Sequence, residues 1–229
     1  VDVPEPQPTE ERQREATAAL REAYRRALVA GREREAERAI REAIEAGLPE
    51  TVIDGDIIAP ALHDVGDRWA AGELSIADEH LATEVSTRVI ALQREHFRVV
   101  HRRASRRVLL TAVEGERHIL GLEMVASVLL HAGYDVRLLG ADLPLDELPG
   151  AVERHAPDVV GVTIGTPAAA VQLPVAIDLI RDARPGVPIV IGGRAAEEVR
   201  VLEPGISCCC HVGDAVEVVD ALVQRAELN

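Results

Sequence analysis

No lysine occurs anywhere in the 229 residues, and all 25 basic side chains are arginine. That absence removes Schiff-base chemistry and the phosphate-gripping lysine of a P-loop. Aromatic side chains are nearly as scarce, with one Trp, two Tyr and one Phe, so the interior has to be built from aliphatic residues and closely packed alanine. The three cysteines are consecutive, Cys208-Cys209-Cys210, and fit neither a disulfide framework nor the spaced pairs of a zinc site. Free and mostly buried thiols in a reducing cytoplasm are expected. No apolar run approaches the roughly 20 residues of a membrane helix. The Pro-rich, acidic start lacks the basic-then-apolar order of a signal peptide. With a formal net charge of -14, the chain also lacks the basic footprint used on nucleic acid. A cytoplasmic protein with no membrane and no direct nucleic-acid contact is expected. Val1 stands where an initiator methionine would, so an upstream segment is compatible with the chain.

Residues 1–8 read as a flexible, Pro-punctuated leader. Thr9 caps a first helix whose stripe is Ala16, Ala19, Leu20, Ala23, Ala27 and Leu28, ended by Gly31. Ala36, Ala39, Ile40, Ala43 and Ile44 mark the inner face of a second, ended by Gly47. A third carries Val52, Ile53, Ile57, Ile58, Leu62 and Val65, with Pro60 predicting a kink or break near Ala59. Ser75 is the N-cap of a fourth, with Asp78 and Glu79 in its first turn. Residues 9–100 thus form a four-helix bundle. The Arg-rich stretch 101–107 reads as an interdomain linker rather than a nucleic-acid patch.

From residue 108 to 229 apolar runs alternate with helical periods. Strands are expected at 108–113, 135–139, 159–163, 189–191 and near 207–210, and helices at 119–132, 145–155, 171–183, 195–202 and 215–226. Alternation of this kind requires a parallel sheet with helices on both faces, a flavodoxin-like (Rossmann-type) domain. Ligands of such sheets bind at the carboxyl edge of the strands. The loops on that edge are Glu116 to Gly121, 139–141, Thr163 to Thr166, Gly192-Gly193-Arg194 and 211–214. Small residues dominate them, which makes a bare slot for a large flat or long ligand rather than a dense set of acids and bases. His118 there can act as a metal ligand, with Glu116 near enough to face its other ring nitrogen.

Glu116-Arg117-His118-Ile119-Leu120-Gly121 resembles the Asp-x-His-x-x-Gly loop of cobalamin-binding domains. The resemblance implies that His118 is the lower axial ligand to cobalt. Thr163 and Gly192-Gly193 match the residues that line the family's channel for the nucleotide tail. The family's Ser-x-Leu is Thr163-Ile164-Gly165 here, and its loop acid is Glu116. In the helical half, Trp69, nine intervening residues and then Glu79-His80 are similar to the cap of CarH-type cobalamin photoreceptors. That likeness implies that Trp69 packs on the adenosyl group of adenosylcobalamin while Glu79 and His80 line its pocket. Val65-Gly66 fits the bundle region of both these photoreceptors and corrinoid methyl carriers. Two departures stand out. Those photoreceptors carry a winged helix-turn-helix ahead of the bundle, and no room for one exists before Thr9. Their upper-ligand histidine, next after the Trp, is Ala70 here, leaving His63, His80 or water for that place.

The resemblance therefore implies a standalone light-sensing adenosylcobalamin protein of the photocobilin kind, some of which also hold a bilin such as biliverdin. It is not expected to be an enzyme. A homo-oligomer signalling to an unidentified partner is expected. A corrinoid methyl carrier is the competing reading, and a cobalamin-free binding module the third. A mutase lacks its substrate barrel here.

Overall fold

A computed structural model describes residues 8–97, 106–197 and 205–227, and the chain divides into two units, Val1–Phe97 and Arg98–Asn229. Most of the expected leader (1–8) and linker (101–107) lies outside the described residues. Pro8 is already the first residue of a helix and Arg107 the first of a strand.

The first unit holds α1 (Pro8–Val29), α2 (Glu33–Glu45), α3 (residues 50–70) and α4 (Ile76–Phe97). Its core is largely alanine and isoleucine, including Ala27, Ala36, Ala39, Ile40, Ala43, Ile53, Ile57, Ala61, Ala82 and Ile90. Small side chains let helix axes approach closely, which replaces the missing aromatic bulk. The α1 stripe differs from expectation in two ways. Ala16 and Ala19 are exposed, whereas Tyr24 is fully buried. Ser86 on α4 donates its hydroxyl proton to the Ala82 carbonyl at 2.8 Å, leaving its oxygen to accept from the Tyr24 hydroxyl at 2.9 Å. Pro60 does not break α3. The helix runs as Glu50–Val52, a π-helical turn Ile53–Ile58, then Ala59–Ala70. The Ala59 N–H reaches back five residues to the Asp54 carbonyl. The ladder changes register across Pro60, whose nitrogen has no hydrogen to offer.

The second unit is a five-stranded, wholly parallel sheet in the order β2-β1-β3-β4-β5. Its strands are β1 (Arg107–Ala112), β2 (Asp135–Gly140), β3 (Val159–Thr163), β4 (Ile189–Gly192) and β5 (Ile206–Cys209). The longer helices are α5 (Leu120–His131), α6 (Leu148–His155), α7 (Leu173–Ala183) and α8 (Ala215–Glu227). Along β1, Leu109 enters one core with Leu148, Val152, Ile177 and Ile180. Its neighbours Val108 and Leu110 enter the other with Leu122, Leu129, Val219 and Leu222. Successive residues of a strand face opposite sides, so helices on both faces are required to bury them. Helices α6 and α7 begin later than the apolar pattern proposes because Pro149 and Pro174 sit in their first turns, where a missing N–H does no harm. The described part of the helix expected at 195–202 is a short 3-10 turn, Arg194–Glu197. Among the cysteines only Cys209 is buried, while Cys208 and Cys210 are exposed.

Candidate functional site

In this strand order the chain leaves β1 to build β2 on one side and returns to build β3 on the other. The loops after β1 and β3 therefore diverge, opening a crevice at the carboxyl edge. His118 stands there, just before α5, with its side chain 69% exposed. Glu116 is completely buried beside it. One carboxylate oxygen, Oε1, accepts from both the backbone N–H of His118 and its ring Nδ1, each at 2.7 Å. The other, Oε2, accepts from the backbone N–H of Gly165 at 2.6 Å and of Thr166 at 3.1 Å. Burial alone pushes the Glu116 carboxyl up, but the bonds from the His118 ring, the His118 amide and the Gly165 amide outweigh it and hold the group down at about 2.

A carboxylate at Nδ1 keeps the proton on that nitrogen and raises the basicity of Nε2, the nitrogen that would face a metal. The donor set suits one axial bond to a metal already held by other ligands. Among the described residues no group of three or more His, Cys, Asp or Glu could hold a bare ion. Gly121 supplies the room: a Cβ there would meet nothing within 4 Å, and its φ is not in the left-handed range. Neither packing nor backbone geometry demands glycine at that position, and the space beside it is open. A metal-bearing macrocycle therefore fits these residues.

The β3 and β4 loops close against each other behind the histidine. Thr163 ends β3 and is buried. The Ile164 N–H donates to the Gly192 carbonyl at 2.9 Å. Gly193 has φ +94, and a Cβ on it would lie 2.4 Å from the Ile164 carbonyl oxygen and 2.7 Å from Thr163 Oγ1. Only glycine fits there. A Cβ on Gly165 would lie 3.1 Å from Glu116 Oε2 and 3.2 Å from His118 Cβ. The glutamate and this glycine thus suit each other, since the longer acid reaches an amide that a side chain at 165 would crowd. The second unit therefore brings Glu116, His118, Gly121, Thr163, Gly165, Gly192 and Gly193 to one edge. Thr166, placed in the edge loop by the sequence, joins them through its amide, and so does a residue that sequence reasoning missed, Asp142, through the Gly115 amide at 2.7 Å.

The remaining candidates lie in the helical unit. Val65 is buried in its core, while Trp69, one turn later and near the end of α3, is 47% exposed. Ser75 caps α4 as expected, in a reciprocal capping box with Asp78: Asp78 N–H to Ser75 Oγ is 3.2 Å and Ser75 N–H to Asp78 Oδ2 is 2.9 Å. This fixes the start of the helix that carries Glu79 and His80. Glu79 accepts from Thr83 at 3.0 Å, and its other oxygen lies 3.6 Å from His80 Nε2.

Comparison with known proteins gives two family matches, each described as a B12 binding domain, over residues 20–93 and residues 106–223. The transcriptional repressor CarH of Myxococcus xanthus is 35% identical over 153 residues, covering 66% of this chain and 50% of the repressor. The repressor CarA of the same organism is 33% identical over 155 residues, covering 65% and 49%. The chain thus spans about half the length of these curated relatives. The solved structure of the Methanosarcina barkeri monomethylamine corrinoid protein shares the fold at a TM-score of 0.72 and 17% identity, covering 86% of this chain and 94% of that one. No helix among the described residues is long and apolar enough to cross a membrane. With both units matched, and the second match alone spanning half of the chain, this cobalamin-binding protein belongs to the B12 binding domain family.

Proposed function

We propose that the protein is a light sensor that binds adenosylcobalamin, with His118 as the lower axial ligand and Trp69 against the adenosyl group. The observation that carries the reading is the His118–Glu116 pair at 2.7 Å on the exposed edge of the sheet, taken with a half-exposed Trp69 at the spacing to Glu79-His80 seen in CarH-type photoreceptors. When bound, adenosylcobalamin would supply a cobalt–carbon bond that green light breaks. Glu116 would keep the Nδ1 proton in place and so hold His118 in the ligating tautomer. Gly192 and Gly193 would leave the wall beside Thr163 bare for the nucleotide tail. Glu79 and His80 would line the adenosyl side. With Ala70 next to the Trp, His63, His80 or water would take the upper position once the adenosyl group has left.

Loss of that group would change the contact energy of the lit state relative to the dark one, which is the requirement for any switch. The output is proposed to be a change in self-association read by a signalling partner in the cytoplasm. This is a binding and sensing role rather than catalysis. Identity to two repressors across about half their length supports the sensing half of this reading. The fold shared with a corrinoid protein favours the second reading, a methyl carrier. A carrier has to open its upper face to partner enzymes, which a Trp69 cap opposes. The test is the absorption spectrum of dark-purified protein loaded with adenosylcobalamin, before and after green light, with and without biliverdin. The sensor reading expects a His-ligated dark spectrum that light changes. A carrier would retain methylcobalamin equally well and be indifferent to Trp69→Ala.

A further inference from the structure

We infer that Asp142 is a positioning residue for His118, clamping the ligand loop from the side opposite Glu116. The proposal rests on the cobalamin reading of this edge. Because β1 lies between β2 and β3, the loop that carries His118 has two neighbours. Glu116 ties it to the loop after β3. Asp142 ties it to the loop after β2. Asp142 Oδ1 accepts from the Gly115 N–H at 2.7 Å, and its own N–H donates to the Glu116 carbonyl at 2.9 Å. Its Oδ2 lies 3.4 Å from the Arg117 guanidinium. Glu114 adds a further tie, accepting from the Leu145 N–H at 3.1 Å. Every residue from 114 to 117 is therefore bonded to the β2 side, immediately before the histidine.

The backbone is shaped for this. The β1–β2 register slips between Leu110 and Thr111, which pair with Leu138 and Gly140, so Leu139 is an extra residue in β2. Gly140 follows at φ +89 and Asp142 itself sits at φ +53. Bulges beside functional sites re-aim the chain that follows them, and a non-glycine residue in the left-handed region persists only where its surroundings over-determine it. Here the bulge turns the chain back toward β1, and the Asp142 carboxylate and amide meet Gly115 and Glu116 on arrival.

Two variants separate the clamp from the turn. Asp142→Asn keeps an acceptor oxygen in a residue that tolerates φ +53, while Asp142→Gly fits the backbone and removes the acceptor. Far-UV circular dichroism and a melting curve establish that both fold. In the cobalamin-free protein, hydrogen exchange at the Gly115 amide reads the clamp directly: slow in wild type and Asp142→Asn, fast in Asp142→Gly. In protein loaded with cob(II)alamin, the electron paramagnetic resonance splitting from an axial histidine nitrogen reads its consequence. Asp142→Gly should lose most of the histidine-ligated fraction and bind hydroxocobalamin about 10-fold more weakly, the lower end of what outer-shell metal-site changes do. Asp142→Asn should stay within about twofold of wild type. An Asp142→Gly protein with a fast Gly115 amide but unchanged ligation and affinity would overturn the positioning role. A slow Gly115 amide in that variant would overturn the clamp itself. Absence of the nitrogen splitting in wild type as well would overturn the cobalamin reading and the proposal with it, and is recognisable because the unmutated protein fails.

Discussion

Asp54 is 1% exposed, in the π-helical turn of α3, and one of its carboxylate oxygens accepts from Gln93 Nε2 at 2.8 Å. Its second oxygen and the Gln93 carbonyl oxygen are both buried acceptors without a hydrogen-bond partner. A proton on Asp54 gives that pair the donor it lacks. Burial first, and then the Glu50 carboxylate, push the acid up to about 7, against the Gln93 bond and the charge of Arg94. From the other packed elements Tyr24 faces it, while α2 contributes only apolar buried residues. A folded-state value above the unfolded one means stability is fullest below about pH 4 and declines as pH rises to about 7. The loss across that interval is at most roughly 4 kcal/mol. Asp54→Asn should therefore gain on wild type across that interval and be at least as stable above pH 7, measured by urea unfolding at several pH values. A constant difference between the two proteins would show that Asp54 does not carry the proton. The histidine loop could be read from the sequence because its acid, imidazole and glycine lie within six residues of one another. The Asp54–Gln93 pair and the Tyr24–Ser86 bond could not, since their partners are 39 and 62 residues apart.

Among the elements, helix α6 ends on Ala156, whose φ of +43 and ψ of +56 place it in the left-handed region. An alanine is disfavoured there by roughly 1 kcal/mol, which glycine would relieve. Ala156→Gly should accordingly raise the stability of the protein by about that amount, and a loss of stability would contradict the cap assignment. The opposite holds after β4, where Gly193 combines φ +94 with contact against the Ile164 carbonyl. Gly193→Ala should destabilise by more than about 2 kcal/mol, visible as a lowered melting temperature. Strand positions and the parallel sheet were legible because β1 and β3 are short apolar runs alternating with helical periods, whereas the strand order was not. Helix starts were less legible. The apolar periods near 145 and 171 run ahead of Pro149 and Pro174, and the backbone waits for the prolines. Asp142 escaped notice for another reason: a bulge at Leu139 is decided by pairing with β1, and no local spacing announces it.

At the scale of the whole molecule, the chain joins an alanine-packed helical unit to a parallel sheet whose switch point presents one oriented imidazole. Cobalamin that binds only the folded form stabilises it by mass action, by about 2.7 kcal/mol when free cofactor exceeds the Kd 100-fold. Hydroxocobalamin should therefore raise the melting temperature of wild type but not of His118→Ala to the same extent. Light should alter self-association of the adenosylcobalamin form, read by light scattering behind a sizing column in the dark and after illumination. The central claim, an imidazole at 118 gripping a cobalt corrin, is tested most directly by the dark absorption spectrum of the adenosylcobalamin-loaded protein beside that of His118→Ala. The account predicts a histidine-ligated spectrum in wild type that is absent from the variant. Identical spectra in the two proteins, or no retained corrinoid in either, would contradict it.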